Sequence, residues 1–217
     1  METIVEVVGV SKKYKDRQAL APVSFSIGYG QTVGLSGRSG SGKTTLAKIV
    51  CGLIRPSEGS VLFRGEDISK FKKTGWKKFR QKVQIVFQDP LASLDPKMTI
   101  GQSLSEPIII NRYPGKMRLA FQIRSLLKKV GLDYEIINCY PHQISGGQRQ
   151  RVNIARALAA GPKLLICDEP LSSLDLPSQI NILKLLCGLR SLENLAMLFI
   201  SHDADSINAV SDKIIRL

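Results

Sequence analysis

Nine residues, Gly37-Arg38-Ser39-Gly40-Ser41-Gly42-Lys43-Thr44-Thr45, narrow the folds open to this chain more than any other stretch. They follow the apolar run Thr32-Val33-Gly34-Leu35 and lead into Leu46-Ala47-Lys48-Ile49-Val50, so a strand, a glycine-rich loop and a helix start come in succession. That order suits a polyphosphate. Glycines let the backbone curl until successive N–H groups converge, and the helix N-terminus behind them adds unpaired donors and a favourable dipole. Lys43 brings a full positive charge to the β- and γ-phosphates, and the Thr44 hydroxyl is placed to ligate Mg²⁺. A loop that merely joined a strand to a helix would need neither group at its offset. Nucleoside triphosphate binding is the expectation.

At 217 residues, 43% hydrophobic and 23% charged, the chain suits one substantial globular domain. No apolar run approaches the ~20 residues that span a bilayer. Met1-Glu2-Thr3-Ile4-Val5-Glu6 lacks the basic stretch and apolar core of a secretory leader, so a cytosolic protein, or one on the cytosolic face of a membrane, is expected. Cys51, Cys139, Cys167 and Cys187 show no metal-ligand spacing and read as small core residues. The net charge of +13 gathers partly between Arg64 and Lys82, where Lys70, Lys72, Lys73, Lys77, Lys78, Arg80 and Lys82 crowd together. With only Phe71, Trp76 and Phe79 to stack on bases, this reads as a solvated face near acidic lipid head groups, with no nucleic acid expected.

In chain order, residues 4–10 are β-branched and read as a strand, and Val23 to Ile27 alternates as a half-buried one. Tyr14 falls between them in a polar, basic loop, where an aromatic could stack on a base or pack on the surface. Ser60 to Phe63 and Val83 to Phe87 are further strands, the second ending at Gln88-Asp89-Pro90. From about 91 to 140 apolar residues recur at helical spacing, in Ile100 to Ile110 and Leu119 to Val130, with Pro107, Pro114-Gly115 and Gly131 separating the pieces. Ser145-Gly146-Gly147-Gln148 opens a helix whose Val152, Ala155, Leu158 and Ala159 form an apolar face, and its serine N-cap offers a second anion site.

Lys163 to Cys167 is a continuous apolar run, as in a parallel strand covered on both faces, and it ends in Asp168-Glu169. Two adjacent carboxylates at a strand end are poor filler, because desolvating them without a partner costs free energy. Beside a phosphate-binding loop, Asp168 can hold Mg²⁺ and Glu169 can orient and polarise an attacking water. A helix over Gln179 to Leu192 and a buried strand over Ala196 to Ile200 follow. That strand ends at His202, which could donate to a γ-phosphate. Lys213 to Leu217 is a last candidate strand.

Together these residues resemble the ATP-binding subunit of an ABC (ATP-binding cassette) transporter over essentially the whole chain. Walker A is Gly37 to Thr45, the Q-loop centres on Gln88, and the signature is Ile144-Ser145-Gly146-Gly147-Gln148. Walker B is Leu164 to Asp168 followed by Glu169; the D-loop is Ser172-Ser173-Leu174-Asp175; the switch histidine is His202. Tyr14 fits the base-stacking aromatic of that family. The resemblance implies ATP and Mg²⁺ as ligands, with Gln88 linking γ-phosphate and metal to a helical subdomain. It also implies a head-to-tail homo- or heterodimer in which Ser145, Gly146, Gly147, Gln148 and Asp175 complete the site of a second ATPase subunit.

A finer resemblance lies in Val86-Phe87-Gln88-Asp89-Pro90-Leu91-Ala92-Ser93-Leu94-Asp95-Pro96, with Glu106-Pro107 and Pro141-His142-Gln143. It points to importers of dipeptides, oligopeptides or nickel-type metal complexes; Asp95 stands where asparagine is usual. Members commonly continue well beyond the last strand, whereas this sequence stops at Leu217, a departure that bears on a regulatory or dimer-supporting extension and not on the ATPase core. Implied partners are two transmembrane permease subunits and, indirectly, a solute-binding protein, with this subunit peripheral at the cytoplasmic face of the membrane. The alternative is a non-transport ABC ATPase acting on nucleic acid or the ribosome. The expected fold is α/β: a P-loop NTPase core with a mixed or parallel sheet, an N-terminal antiparallel β-subdomain and an inserted α-helical subdomain. The divisions are 1–90 with 161–217 for the core and about 91–160 for the helices.

Overall fold

The computed structural model describes residues 2–15, 17–112 and 115–217. Two sheets organise them. Strands β1 (Thr3–Tyr14), β2 (Arg17–Gly28), β4 (Glu58–Phe63) and β5 (Glu66–Asp67) form an antiparallel sheet in the order β2-β1-β4-β5. Strands β3 (Thr32–Ser36), β6 (Val83–Val86), β7 (Leu164–Asp168), β8 (Ala196–Ile200) and β9 (Lys213–Arg216) form a parallel sheet in the order β6-β7-β8-β3-β9. Every parallel strand therefore ends at the same edge, where loops can converge on a ligand.

The apolar runs of β7 and β8 are continuous because both faces of this sheet are covered. Leu164, Ile166, Ala196, Leu198 and Ile200 pack with the antiparallel sheet and with helices α1 (Lys43–Val50) and α2 (Lys73–Lys82). The alternate residues, Leu165, Cys167, Met197 and Phe199, join a second core. Its other walls are α3 (Ile100–Arg112), α4 (Lys116–Lys129), α5 (Gly146–Ala159), α6 (Leu176–Glu193) and α7 (Ala204–Val210). The helices between β6 and β7 thus share a core with the sheet.

Two expectations change. The loop foreseen around Tyr14 is strand almost to its end, with Lys12 paired to Leu20 and Tyr14 to Arg17. Apolar alternation stops there because β1 runs past the core edge, while its ladder continues and Lys13 N–H donates to Ser57 Oγ. Pro107 does not separate two pieces; it lies inside α3. Proline costs about 3 kcal/mol in a helix interior. Ile100, Leu104 and Ile108, all buried on one face of α3, offset it at roughly 1.5–3 kcal/mol each. Pro114, the other expected break, lies outside the described residues; Gly115 is the N-cap of α4.

Candidate active site

The loop after β3 reaches α1 through Gly42, which caps the helix at φ 98°. That left-handed turn suits glycine, and a Cβ there would also collide with the carbonyl oxygen of Ala19 on β2. Gly40, at φ 81°, faces open space. The first intrahelical bond runs from Leu46 N–H to the Gly42 carbonyl, so the N–H groups of Lys43, Thr44 and Thr45 have no partner inside the helix. Lys43 is buried and folds back, its Nζ donating to the carbonyls of Gly37 (2.8 Å) and Arg38 (3.1 Å). Converging backbone donors, a charged amine and an open glycine face form an anion cradle.

Beneath the cradle, the Thr44 hydroxyl donates to Asp168 Oδ1 at 3.3 Å. Asp168 is only 2% exposed. Burial pushes its carboxyl above the usual range, the Glu169 carboxylate pushes the same way, and the Thr44 bond, Lys48 and Lys43 oppose them. A carboxylate in that state gains from a cation. Among the described residues no three His, Cys, Asp or Glu side chains converge. A cation here would therefore take oxygens from Thr44, from Asp168 and, at the cleft rim, from Gln88, and the rest from phosphate and water, the ligand set Mg²⁺ accepts.

Glu169 adopts φ 50°, left-handed backbone that costs a residue with a Cβ about 1–2 kcal/mol. The bend is held on both sides: its N–H donates to the Ile200 carbonyl at 3.0 Å, and its carbonyl accepts from Ser172 Oγ at 3.2 Å. This aims the carboxylate along the sheet edge, where Oε2 lies 2.8 Å from His202 Nδ1. The His202 side chain is 68% exposed and that of Glu169 11%, so the imidazole screens the carboxylate from solvent.

A cleft of about 570 Å³ gathers most of the expected residues: Tyr14, Ser39, Gly40, Gly42, Lys43, Thr44, Thr45, Gln88, Glu169 and His202. Arg17 and Ala19 line it too, and sequence reading missed them. Their signal was the hairpin, since Arg17 is the cross-strand partner of Tyr14. Gly37, Arg38 and Ser41 belong to the loop without lining the cleft, and Gln88 is exposed at its rim.

Ser145, Gly146, Gly147, Gln148 and Asp175 do not line it. They meet at another surface. Ser145 caps α5 by a reciprocal pair, its Oγ accepting from Gln148 N–H (3.2 Å) and its own N–H donating to Gln148 Oε1 (2.9 Å). Asp175 caps α6 by accepting from Ser178 N–H at 3.4 Å, and that bond with the Ser178 hydroxyl holds its carboxyl below the usual range. Ser178 in turn sits against Gly147, where an added Cβ would meet its Oγ at 3.1 Å. Two helix N-termini thus stand side by side with exposed caps.

Helix α5 also carries a polar ladder that hydrophobic patterning does not announce. Buried Gln150 donates to the Pro170 carbonyl at 2.8 Å, next to Glu169. One turn on, buried Asn153 donates to the Pro90 carbonyl at 2.9 Å, two residues from Gln88. Arg156 donates to the Ser93 carbonyl at 2.9 Å and to Glu106 at 2.7 Å. Beside this ladder a groove of about 560 Å³ opens between β6 and α3, walled by Ile85, Phe87, Pro107 and Ile110.

Comparison with known proteins shows the family and the fold. A family model described as ABC transporter matches residues 20–172. The oligopeptide transport ATP-binding protein OppF of Haemophilus influenzae is 40% identical over 228 residues, covering 99% of this chain and 69% of its own. A putative peptide import ATP-binding protein of Brucella ovis is 42% identical over 218 residues, with the same coverage. Among solved structures, a dimeric ATP-binding cassette in a post-hydrolysis state, bound to ADP and Pi, superposes with a TM-score of 0.87 at 32% identity, covering 99% of this chain and 94% of that one. The cbiO1 protein of Clostridium perfringens, part of an ABC transporter complex, gives 0.88 at 29% identity, covering 100% and 85%.

Proposed function

The chain belongs to the ABC transporter family, whose cassettes hydrolyse ATP, and we propose that it energises a peptide importer as one half of a cassette dimer at the cytoplasmic face of the membrane. The single observation that carries the chemistry is the cleft in which Lys43, Thr44, Gln88, Glu169 and His202 meet. Peptides are preferred to nickel-type complexes, and transport to a role on nucleic acid or the ribosome, because relatives matched over 99% of the chain are named for peptide import.

In this reading Tyr14 stacks on the adenine, the unpaired N–H groups of the loop hold the phosphates, and Lys43 turns from the Gly37 and Arg38 carbonyls to the β- and γ-phosphates. Thr44 and Asp168, with Gln88, would hold Mg²⁺, which would supply charge neutralisation at the transferred phosphoryl group. Glu169 orients the attacking water through the carboxylate oxygen that His202 leaves free. A neutral His202 with its proton on Nδ1, facing Glu169, has only an acceptor at Nε2. To donate its Nδ1 proton to a γ-phosphate it must swing away, and that frees Glu169.

Ser145, Gly147 and Asp175 serve the partner's nucleotide, since they lie outside the cleft of their own chain. We take residues 91–160 as a helical subdomain and 1–90 with 161–217 as the core. The groove beside Pro107 and Ile110 receives a permease segment. Glu169→Gln tests the assignment of the base. It keeps shape and removes the carboxylate's charge, so turnover should fall about 10²–10⁴-fold while ATP binding persists and a nucleotide-bound dimer accumulates in gel filtration. Turnover near wild type refutes it.

A further inference from the structure

Helix α2 leaves a concentration of charge that ATP hydrolysis does not use. Lys70, Lys72, Lys73, Lys77, Lys78, Arg80 and Lys82 fall between Asp67 and Asp89, an interval with no acidic residue. All but Lys82 are exposed, and Lys82 is tied to the Gly161 carbonyl. Among the described residues the ion pairs are Lys129–Glu193, Arg156–Glu106, Arg190–Asp212 and His202–Glu169, so none of the seven is neutralised within the chain. An ordinary solvated helix face mixes both signs. Here like charges repel along a ten-residue helix, and an anionic surface would relieve that repulsion.

The cluster is also shaped. Lys73, Trp76, Lys77 and Arg80 line one side of a cleft of about 790 Å³, and Pro107 and Ile110 of α3 line the other. Trp76 packs edge-on against Phe71 and Phe79, which fixes its ring, and the Arg80 guanidinium lies 5.3 Å from the ring centre. An anchored indole flanked by cations and apolar side chains is the combination that settles at a bilayer interface. Single-stranded nucleic acid would want a row of free ring faces, whereas these aromatics pack edge-on against one another. Pro107, Ile110 and Gln84 line both this cleft and the groove given above to the permease, so the two surfaces are continuous.

We propose that the basic face of α2, with Trp76 and the cleft against α3, is a docking surface for anionic phospholipid head groups at the rim of the permease contact. Its orientation rests on the permease reading, because a groove that receives a membrane-embedded partner turns the adjoining surface towards the bilayer. The lipid contact then adds to permease affinity by tethering, and it depends on salt because it is a sum of screened charges.

Trp76 is the only tryptophan of the chain and reports directly. The experiment titrates the full chain with vesicles of phosphatidylcholine alone or with phosphatidylglycerol added, reading Trp76 emission and co-sedimentation. The expected result is a blue shift and sedimentation only with the anionic vesicles, reversed by high salt and untouched by inorganic phosphate. Lys73→Gln/Lys77→Gln/Arg80→Gln should weaken partitioning on the order of 100-fold, from a contribution of roughly a factor of five per cation at a charged surface. ATPase activity should not change, which shows that the variant is folded. Equal binding to neutral vesicles, no binding to anionic ones, or duplex DNA competing on equal terms would overturn the proposal. So would a triple variant that keeps its vesicle binding and loses only the detergent-solubilised permease, which would assign the face to a protein. The Glu169→Gln assay needs no vesicle and this titration needs no turnover, so either reading can fail alone.

Discussion

Replacing Asn153 with alanine tests whether the polar ladder of α5 positions the catalytic loops or merely fills space. Asn153 is 6% exposed and its Nδ2 donates at 2.9 Å to the carbonyl of buried Pro90. Alanine leaves that carbonyl unpaired, which costs about 1–3 kcal/mol, and the space vacated by the amide adds roughly 1 kcal/mol. For a domain of this size a net loss of about 2–4 kcal/mol lowers the melting temperature by about 4–16 °C. Because Gln88 lies two residues before Pro90 and Asn153 does not line the nucleotide cleft, kcat should fall about 10-fold while KM for ATP stays within about 2-fold. Asn153→Leu separates the two costs, since it restores volume and not the donor. If both variants unfold within about 0.5 kcal/mol of wild type and hydrolyse ATP at the normal rate, the contact positions nothing.

Asp168→Asn should raise the melting temperature of the nucleotide-free chain at neutral pH while abolishing Mg²⁺-dependent turnover. Burial raises the Asp168 carboxyl in the folded state, so the fold holds that proton more tightly than the unfolded chain does. The resulting stability is present below the unfolded carboxyl pKa, about 3.9, and is lost as pH rises through the folded value; melting curves of wild type and variant should converge as pH falls. Gly42→Ala combines positive φ with a collision against the Ala19 carbonyl and should destabilise the fold by about 2 kcal/mol or more, with loss of ATP binding in calorimetry. An unchanged melting point would mean that β2 and the loop yield without cost.

The residues that meet in the cleft were legible because each stands at a strand end announced by an apolar run. Lys43, Gln88, Glu169 and His202 could be placed at one edge once the strands were taken as parallel. Tertiary context supplied the rest. Arg17 and Ala19 enter the cleft only because β1 and β2 pair beyond the apolar part of the hairpin. Gln150 and Asn153 look like residues for solvent beside the stripe of Val152, Ala155 and Leu158. They are buried because α5 is enclosed by the sheet, α3, α4 and α6, where their amide N–H groups find the backbone carbonyls of Pro170 and Pro90. Helix α7 is seven residues long, with Asp203 as its cap and only Ser206, Ile207 and Val210 buried, too few positions for a period to show.

The ladder also bears on how one chain can contribute to two sites. Its apolar neighbours Val152, Ala155 and Leu158 fix where α5 lies, yet dispersion contacts are non-directional and tolerate small rotations. The bonds from Gln150 to the Pro170 carbonyl and from Asn153 to the Pro90 carbonyl are directional, and they tie α5 to the segments that follow Glu169 and Gln88. At its N-terminus the same helix presents the exposed cap of Ser145. A rigid-body turn of α5, prompted at that cap, therefore has to displace both of these segments together or break buried hydrogen bonds. The tie is looser for α4, whose buried residues Ile123, Leu126 and Leu127 are all apolar and which is hydrogen-bonded to α5 at its C-cap, where the Val130 carbonyl accepts from Arg151. Under the proposed dimer, the element that meets the partner's nucleotide is thus the one mechanically bound to this chain's own base and Gln88.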